Sequence, residues 1–251
     1  MKPAQPYRVL LLDLDGTIVD YARTEEAALA AVHAEFFRRH VSYPEFRRAF
    51  HACNDELWAA YRRHQVDLDI LRAERFLRLR AAVGASVAID VITTRFEAEL
   101  GRAVVLFRDA RPALRALRRA FRLILVTDGI AAVQRAKLAT SRLGRFFERV
   151  IISSEVGYRK PDPRLLDHAL RHAGTRAGNA LVVGDSRVSD GSGAMAAGID
   201  FCWVNRSADR PEPASWQATV PVRLHVPDLA ALATVLGCRE RAQSVMAYLR
   251  I

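Results

Sequence analysis

Short apolar runs alternate with helical patterns along most of this 251-residue chain. Each run is followed by a small or polar residue, as is typical of buried strands; the runs are Val9–Leu12, Leu123–Val126, Val150–Ile152, Leu181–Val183, Phe201–Val204 and, at the periphery, Val222–Val226. The helical patterns between or after them are Pro112–Ala120, Ala131–Leu138, Pro163–His172, Ser189–Ala197 and Asp228–Leu236. Strands that alternate with helices form a parallel sheet. The pattern therefore predicts an α/β fold with helices on both faces of a parallel sheet.

The segment from residue 21 to 107 has a different pattern and contains no convincing strand. Its helical patterns are Glu25–Arg39, Pro44–Ala52, Glu56–Arg63, Ile70–Val83 and Ala88–Leu100. The residues Ser42-Tyr43-Pro44-Glu45 fit a capping box with proline in the first turn. We predict a core domain made of residues 1–20 and 108–251, with an all-helical cap domain, residues 21–107, inserted after the first strand.

The chain carries a net charge of +10, which raises nucleic acid as a partner. Much of the surplus lies at a predicted helix-to-strand junction that contains Arg115, Arg118, Arg119 and Arg122. Arginine is the default cation of a chain that has only three lysines, and the basic residues are not interleaved with aromatic ones. We interpret this surface as a solvated helix face and do not expect nucleic acid to bind.

The cysteines and the apolar runs indicate the cellular compartment of the protein. Cys53, Cys202 and Cys238 are odd in number and widely spaced, which favours neither a disulfide framework nor a metal site. No run approaches the roughly 20 apolar residues that a membrane span needs. We expect a cytoplasmic protein that does not bind membranes, and the sequence fits a monomer as well as a homodimer.

Polar residues follow the predicted strands where the strands end. Asp13 and Asp15 follow the first strand, Thr127-Asp128-Gly129 follows the second, and Asp185 and Asp190 follow the fourth. Lys160 stands in the loop before the helix that precedes the fourth strand. Ligands of open parallel sheets bind outside the carboxyl ends of the strands. We therefore expect these groups to converge at one edge of the sheet.

A cluster of carboxylates in a cleft needs a counter-charge, and oxygen ligands favour a hard cation, of which Mg²⁺ fits best. Asp13, Asp15, Asp185 and Asp190 are the candidate metal ligands. One lysine and one hydroxyl, those of Lys160 and Thr127, suit an anion beside the metal. A nucleophile, a metal and fixed positive charge are what phosphoryl transfer requires.

Four motifs in this order resemble those of the haloacid dehalogenase superfamily, phosphatase type, with a helical cap of the first kind (C1). They are Asp13-Leu-Asp-Gly-Thr17, Val126-Thr-Asp-Gly129, Lys160-Pro-Asp-Pro163 and Gly184-Asp-Ser-Arg-Val-Ser-Asp190. The resemblance covers the chain from Val9 to about Leu236. It implies a Rossmann-like core domain and an enzyme that hydrolyses small-molecule phosphate esters.

The resemblance also implies roles for single residues. Asp13 would attack phosphorus and form an aspartyl-phosphate, and Asp15 would protonate the leaving oxygen and then deprotonate water. Thr127, helped by the turn of Asp128 and Gly129, would bind the phosphoryl oxygens. Lys160 would neutralise the nucleophile and the phosphate.

The same resemblance implies how the metal is held. Asp185 would bind Mg²⁺ directly, together with Asp13 and the backbone carbonyl of Asp15. Asp190 would hold these ligands in place without binding the ion itself. Relatives often have Asn where this chain has Asp128, so we expect the Asp128 side chain to point away from the phosphate. Asp15 argues against a haloacid dehalogenase, and a cap without lysine argues against phosphonate hydrolysis.

The leaving group should contact the cap. Asn54, Trp58 and Tyr61 share one face of a predicted helix, where a base or a sugar could stack. This stretch, together with Gln134 after the second motif and Phe201-Cys-Trp-Val-Asn205 near the end, is similar to the house-cleaning pyrimidine 5′-nucleotidases of the superfamily. A nucleoside 5′-monophosphate is therefore the leading substrate candidate. The alternatives are a small sugar phosphate, sialic acid 9-phosphate or phosphoglycolate. A phosphomutase and a non-catalytic binding protein on the same fold also stay open.

Overall fold

The computed structural model describes residues 7–63, 65–206 and 220–238. Its sheet has six parallel strands: β1 Val9–Leu12, β2 Arg122–Thr127, β3 Arg149–Ile152, β4 Ala180–Gly184, β5 Asp200–Val204 and β6 Leu224–Val226. The α-helices are α1 Tyr21–Val32, α2 Tyr43–Arg62, α3 Leu68–Val83, α4 Ile89–Arg102, α5 Ala110–Arg118, α6 Ala131–Ser141, α7 Ser153–Val156, α8 Pro163–Ala173, α9 Ser192–Ala196 and α10 Leu229–Val235. The predicted α/β class is confirmed.

The strands lie in the order β3-β2-β1-β4-β5-β6, so the direction of winding reverses between β1 and β4. Val9 is paired with Arg122 on one side and with Ala180 on the other, which aligns the carboxyl ends of β1, β2 and β4. The reversal point is where open α/β sheets form a crevice for ligands. The polar residues that follow these strands are therefore placed at that crevice.

Alternate residues of β1 pack into separate cores on the two faces of the sheet, as the two-residue period of a strand requires. Leu10 and Leu12 belong to a buried cluster that includes Leu114 of α5 and Leu232 of α10. Val9 and Leu11 belong to the cluster on the opposite face, which includes residues of α8. Both faces are covered, so an unbroken apolar run can form the central strand.

Helices are the only regular secondary structure in the described residues between Tyr21 and Arg102, and turns connect them. The expected helices Pro44–Ala52 and Glu56–Arg63 are one continuous helix, α2, and the separation between them was wrong. No glycine or proline interrupts the sequence between them. Phe46, Phe50 and Leu57 are all buried, so the apolar face continues through the expected break.

The helix expected over Ser189–Ala197 begins differently from the prediction. A π-helical turn, Arg187–Gly191, precedes the short helix α9. The Gly191 N–H donates to the Ser186 carbonyl five residues earlier, which makes a wider turn than an α-helix allows. Within this turn Asp190 is buried and its Oδ2 accepts a hydrogen bond from the Ser186 N–H.

Two linkers join the helical segment to the sheet. The Asp20 N–H donates to the Val105 carbonyl over 2.9 Å, and the Phe107 N–H donates to the Ile18 carbonyl over 3.2 Å. The paired linkers support our division at residues 20 and 107, which stays a proposal. No helix in the described parts of the chain is both long and apolar enough to cross a membrane.

Phe76 tests the separate apolar core of the helical segment. Its ring is fully buried, with ring centres 5.7 Å from Phe50 and 5.3 Å from Phe96. We expect Phe76→Ala to lower the free energy of unfolding by about 3–5 kcal/mol, because it leaves a cavity. Denaturant unfolding measures this difference.

Leu77 is the matched control, because it lies on the same helix and is 39% exposed. Leu77→Ala should change the free energy of unfolding by less than about 1 kcal/mol. Equal losses in the two variants would contradict a core that is centred on Phe76.

Candidate active site

A cavity of about 760 Å³ lies between the carboxyl ends of the strands and the helical segment. All ten residues predicted for the site line it: Asp13, Asp15, Asn54, Trp58, Thr127, Asp128, Gly129, Lys160, Asp185 and Asp190. The convergence expected from the strand ends is thus present in the structure. Which chemical role each residue has is a separate question, and it depends on the contacts within the cavity.

The Lys160 ammonium lies at the centre of the buried polar groups. It donates to Asp13 Oδ1 and to Asp190 Oδ1, each over 2.6 Å, and to the Val126 carbonyl over 3.3 Å. These three acceptors match the three donors of an ammonium group. Burial lowers the pKa of Lys160, but Asp13, Asp190 and Asp128 outweigh it and raise that pKa, so the lysine is charged.

Asp13 has one buried carboxylate oxygen that is left without a hydrogen bond among the described residues. Its Oδ1 accepts from Lys160, whereas its buried Oδ2 accepts no hydrogen bond from any described residue. Burial raises the pKa of Asp13; Lys160 opposes this effect, and the carboxylates of Asp190 and Asp185 add to it. Asp13 therefore presents one unengaged oxygen to the cavity.

Asp13, Asp185 and Asp190 each offer an oxygen, and these oxygens lie within 4.8 Å of one another. Two glycines make this crowding possible. A Cβ at Gly16 would overlap the Asp185 carboxylate, and a Cβ at Gly184 would overlap the Asp190 carboxylate. Gly16 also has a φ of +92°, which disfavours any other residue.

The residues present fit a divalent cation. Burial, followed by the neighbouring Asp190, raises the pKa of Asp185 to about 7. Burial also raises the pKa of Asp128 to about 6, against the opposing effect of Lys160. Burial is the largest cause of both shifts and the neighbouring carboxylate of Asp190 adds to each, so a bound cation would oppose them. An oxygen-only donor set of this kind selects a hard ion.

Asp15 is held by two residues that we did not predict for the site. Lys137 Nζ donates to Asp15 Oδ1 over 2.8 Å and to Asp15 Oδ2 over 2.7 Å. Gln134 Nε2 donates to Asp15 Oδ2 over 2.9 Å and to Thr127 Oγ1 over 2.8 Å. Both residues are buried and lie on α6. The scarcity of lysine in the chain was a signal that could have identified Lys137.

In the turn after β2, the Gly129 N–H and the Asp128 carboxylate already form hydrogen bonds. The Gly129 N–H donates to Ser153 Oγ over 3.1 Å. Asp128 Oδ1 accepts from the Lys160 N–H over 3.2 Å, which ties this carboxylate to the Lys160 loop. The Thr127 side chain accepts from Gln134 and lies against the cavity. The Thr127 hydroxyl in turn donates to the Asp128 carbonyl over 3.3 Å.

Helix α2 places Asn54, Trp58 and Tyr61 along the cavity, as their spacing indicated. The rings of Trp58 and Tyr61 meet edge to face, with centres 5.5 Å apart. The Arg159 guanidinium lies 3.8 Å from the centre of the Tyr61 ring, so this helix also contacts the Lys160 loop. The Trp58 ring therefore has both a packing contact and a cavity-lining surface.

The cavity thus brings together a carboxylate with one unbonded oxygen, a second carboxylate held by Lys137 and Gln134, and a cluster of three acidic residues. The chain belongs to the haloacid dehalogenase-like hydrolase family, whose model matches residues 7–198. It is 35% identical to the phosphoserine phosphatase of Thermus thermophilus over 230 residues, which are 82% of this chain and 91% of that protein. It is 29% identical to the pyrimidine 5′-nucleotidase PynA of Streptococcus pneumoniae over 201 residues, or 79% and 84% of the two chains.

The fold has a solved counterpart in the putative HAD-hydrolase YfnB of Bacillus subtilis, whose crystal structure is described as bound to magnesium. The two folds superpose with a TM-score of 0.82 at 24% identity, over 92% of this chain and 99% of that one. This likeness establishes the fold. Family membership rests on the sequence match and makes the protein a hydrolase.

Lys137 offers a test of the unpredicted contacts. We expect Lys137→Met to lower kcat on an aryl phosphate by about tenfold to a hundredfold, because Asp15 loses a charged hydrogen-bond donor. Steady-state kinetics measure this, and thermal unfolding checks that the variant folds.

Arg135 is the control on the same helix, because it pairs with Glu155 at the surface. Arg135→Met should keep the kcat of the unaltered enzyme. A Lys137→Met variant with undiminished kcat would show that this lysine has no part in the reaction.

Proposed function

We propose that the protein is a Mg²⁺-dependent phosphomonoester hydrolase that works through an aspartyl-phosphate on Asp13. The observation that carries this proposal is the unengaged Oδ2 of Asp13 in the cavity, while Lys160 holds Oδ1. A carboxylate with one fixed and one free oxygen is suited to nucleophilic attack. The family match and the phosphatases among the relatives support this reaction class.

In the first step Asp13 Oδ2 attacks phosphorus and the leaving oxygen departs. Lys160 balances the charge of the nucleophile and of the phosphoryl oxygens. The Thr127 hydroxyl, oriented by Gln134, donates to a phosphoryl oxygen, and the Asp128 N–H does the same. Gln134 holds Thr127 Oγ1 in place, and the Thr127 hydroxyl would turn from the Asp128 carbonyl to the phosphoryl oxygen when the substrate binds.

Asp15 moves the proton in both steps. It protonates the leaving oxygen and then takes a proton from the water that hydrolyses the aspartyl-phosphate. Lys137 and Gln134 hold its carboxylate between them. They select the side-chain orientation from which Asp15 reaches the leaving oxygen.

Asp13 and Asp185 would hold the Mg²⁺ ion, with the Asp15 carbonyl, and Asp190 would orient this set through Lys160 and the Ser186 N–H. When bound, the ion supplies positive charge to the phosphoryl oxygens. Asp190 is already engaged on both oxygens, which favours a supporting position over direct ligation.

The substrate is a phosphomonoester small enough for the cavity. The leading candidate from the sequence is a nucleoside 5′-monophosphate, whose base would lie against Trp58. A phosphorylated amino acid, sugar or organic acid is the alternative, and relatives named phosphoserine phosphatase, pyrimidine 5′-nucleotidase and phosphoglycolate phosphatase span both groups. A phosphomutase would share the two aspartates, but it would return the phosphoryl group to a second substrate rather than to water.

Asp13→Asn tests the nucleophile. We expect the variant to release no phosphate from p-nitrophenyl phosphate above background, because an amide oxygen does not replace the carboxylate in attack. Phosphate release by the unaltered enzyme should need Mg²⁺ and stop with EDTA. Retention of activity by Asp13→Asn, or full activity in EDTA, would remove the proposed reaction.

Asp15→Asn separates acid–base chemistry from metal binding. We expect kcat to fall by about a hundredfold or more, which is the usual contribution of a general acid. The Mg²⁺ concentration for half-maximal thermal stabilisation should stay within a few-fold of that of the unaltered protein, because Asp15 would hold the metal through its backbone carbonyl and not through its side chain. Turnover unchanged by this substitution would show that another group moves the proton.

A further inference from the structure

Two buried polar groups on the helical segment have no partner for some of their atoms among the described residues. Arg75 of α3 is 2% exposed, and its Nε and Nη2 make no hydrogen bond. Glu97 Oε1 lies 3.7 Å from Nη2, which is beyond hydrogen-bond length. Asn54 of α2 is 4% exposed, and its Oδ1 accepts no hydrogen bond. Both residues line the cavity that contains Asp13.

Such atoms are costly to bury. A buried donor without an acceptor loses its hydration and gains nothing, and the cost is larger for a charged group. The guanidinium lies 5.2 Å from the ring centre of Phe76 and 4.7 Å from that of Phe96, so aromatic faces replace only part of its solvation. An anionic ligand atom in the cavity would complete the hydrogen bonds of Arg75.

The free atoms also indicate the shape of that ligand. Nε and Nη2 are the two donors that lie side by side on a guanidinium, and together they bind both oxygens of one carboxylate. Elsewhere on the same helix, Arg72 uses these two atoms to hold Glu97 in this way. The free Oδ1 of Asn54 would accept from an ammonium or hydroxyl group nearby.

Two carboxylates, those of Glu97 and Glu25, attract the charge of Arg75 without hydrogen-bonding it. Glu97 Oε1 lies 3.7 Å from Nη2 and already accepts from Arg72 Nε over 2.7 Å. Glu25 is buried and lines the same cavity, and its Oε1 accepts from the Tyr21 hydroxyl over 3.0 Å. No described carboxylate hydrogen-bonds Arg75, so a carboxylate of the substrate can supply the hydrogen bonds that these two do not make.

We propose that Arg75 binds a carboxylate of the leaving group, and that the substrates are small phosphomonoesters of hydroxy acids or amino acids. This inference rests on the proposed phosphatase reaction at Asp13 and narrows its substrate. A nucleoside offers Arg75 no anionic group. The inference thus favours the phosphorylated organic acids over the nucleoside 5′-monophosphates.

Two pairs of compounds that differ in the carboxylate test the proposal. They are O-phosphoserine with O-phosphoethanolamine, and phosphoglycolate with ethyl phosphate, each assayed for kcat/KM with Mg²⁺. In at least one pair, we expect kcat/KM to be about tenfold to a hundredfold higher for the compound with the carboxylate. This is the effect expected when the other compound lacks one charge-assisted hydrogen bond. Arg75→Met should abolish this preference by lowering kcat/KM chiefly on the carboxylate compound, and Arg75→Lys should restore part of it.

Arg78→Met is the matched control. Arg78 lies one turn later on α3 and pairs with Glu56 and Glu74 at the surface, away from the cavity lining. This variant should keep the preference of the unaltered enzyme.

The outcomes separate the two proposals. Equal kcat/KM within both pairs for the unaltered enzyme would overturn the Arg75 subsite, and this measurement needs no variant to fold. Arg75→Met losses that are equal on both members of a pair would overturn it as well. Absence of phosphate release from all four compounds and from p-nitrophenyl phosphate would instead overturn the phosphatase reaction itself.

Discussion

The buried ammonium of Lys160, held between Asp13 and Asp190, is the interaction on which the site depends. Two carboxylates brought this close in a buried position would repel each other and take up protons. Lys160 keeps them together and fixes one oxygen of each. Removing one partner of such a group leaves an uncompensated buried charge, which is strongly destabilising. The arrangement therefore serves charge placement more than stability.

Lys160 and Lys137 do not balance the whole site. Five carboxylates line the cavity at the sheet edge, namely those of Asp13, Asp15, Asp128, Asp185 and Asp190, against these two ammonium groups. Five negative and two positive charges leave an excess of three when all are ionised. The raised pKa values of Asp13, Asp128 and Asp185 are the consequence of this excess and of burial. A divalent cation is the simplest group that removes most of it.

The sheet edge and much of the site could be predicted because strand ends are local features. The run Val9–Leu12 followed by Asp13 and Asp15 marks both a central strand and the carboxylates at its end. Residues on helices were harder to predict, because their function depends on which face meets the cavity. Lys137 was found only through its contact with Asp15.

Arg75 and the bounds of α2 show the same limit of sequence reasoning. Arg75 is one of four arginines in α3; Arg78 is exposed, Arg72 and Arg80 are half-buried, and only the packing of α3 shows that Arg75 is buried. The two helices expected over Pro44–Ala52 and Glu56–Arg63 are one helix, which continues through Cys53, Asn54 and Asp55. Local patterns identify the elements, whereas tertiary packing decides which polar residue faces the cavity.

The most direct test of the charge excess is the thermal midpoint of the unaltered protein and of Asp185→Asn, measured with and without Mg²⁺. If carboxylate repulsion is relieved by the ion, Mg²⁺ raises the midpoint of the unaltered protein. Asp185→Asn then has a higher midpoint than the unaltered protein in EDTA and gains little from Mg²⁺. A midpoint of the unaltered protein that does not respond to Mg²⁺, together with an Asp185→Asn variant that is less stable in EDTA, would contradict this view of the site.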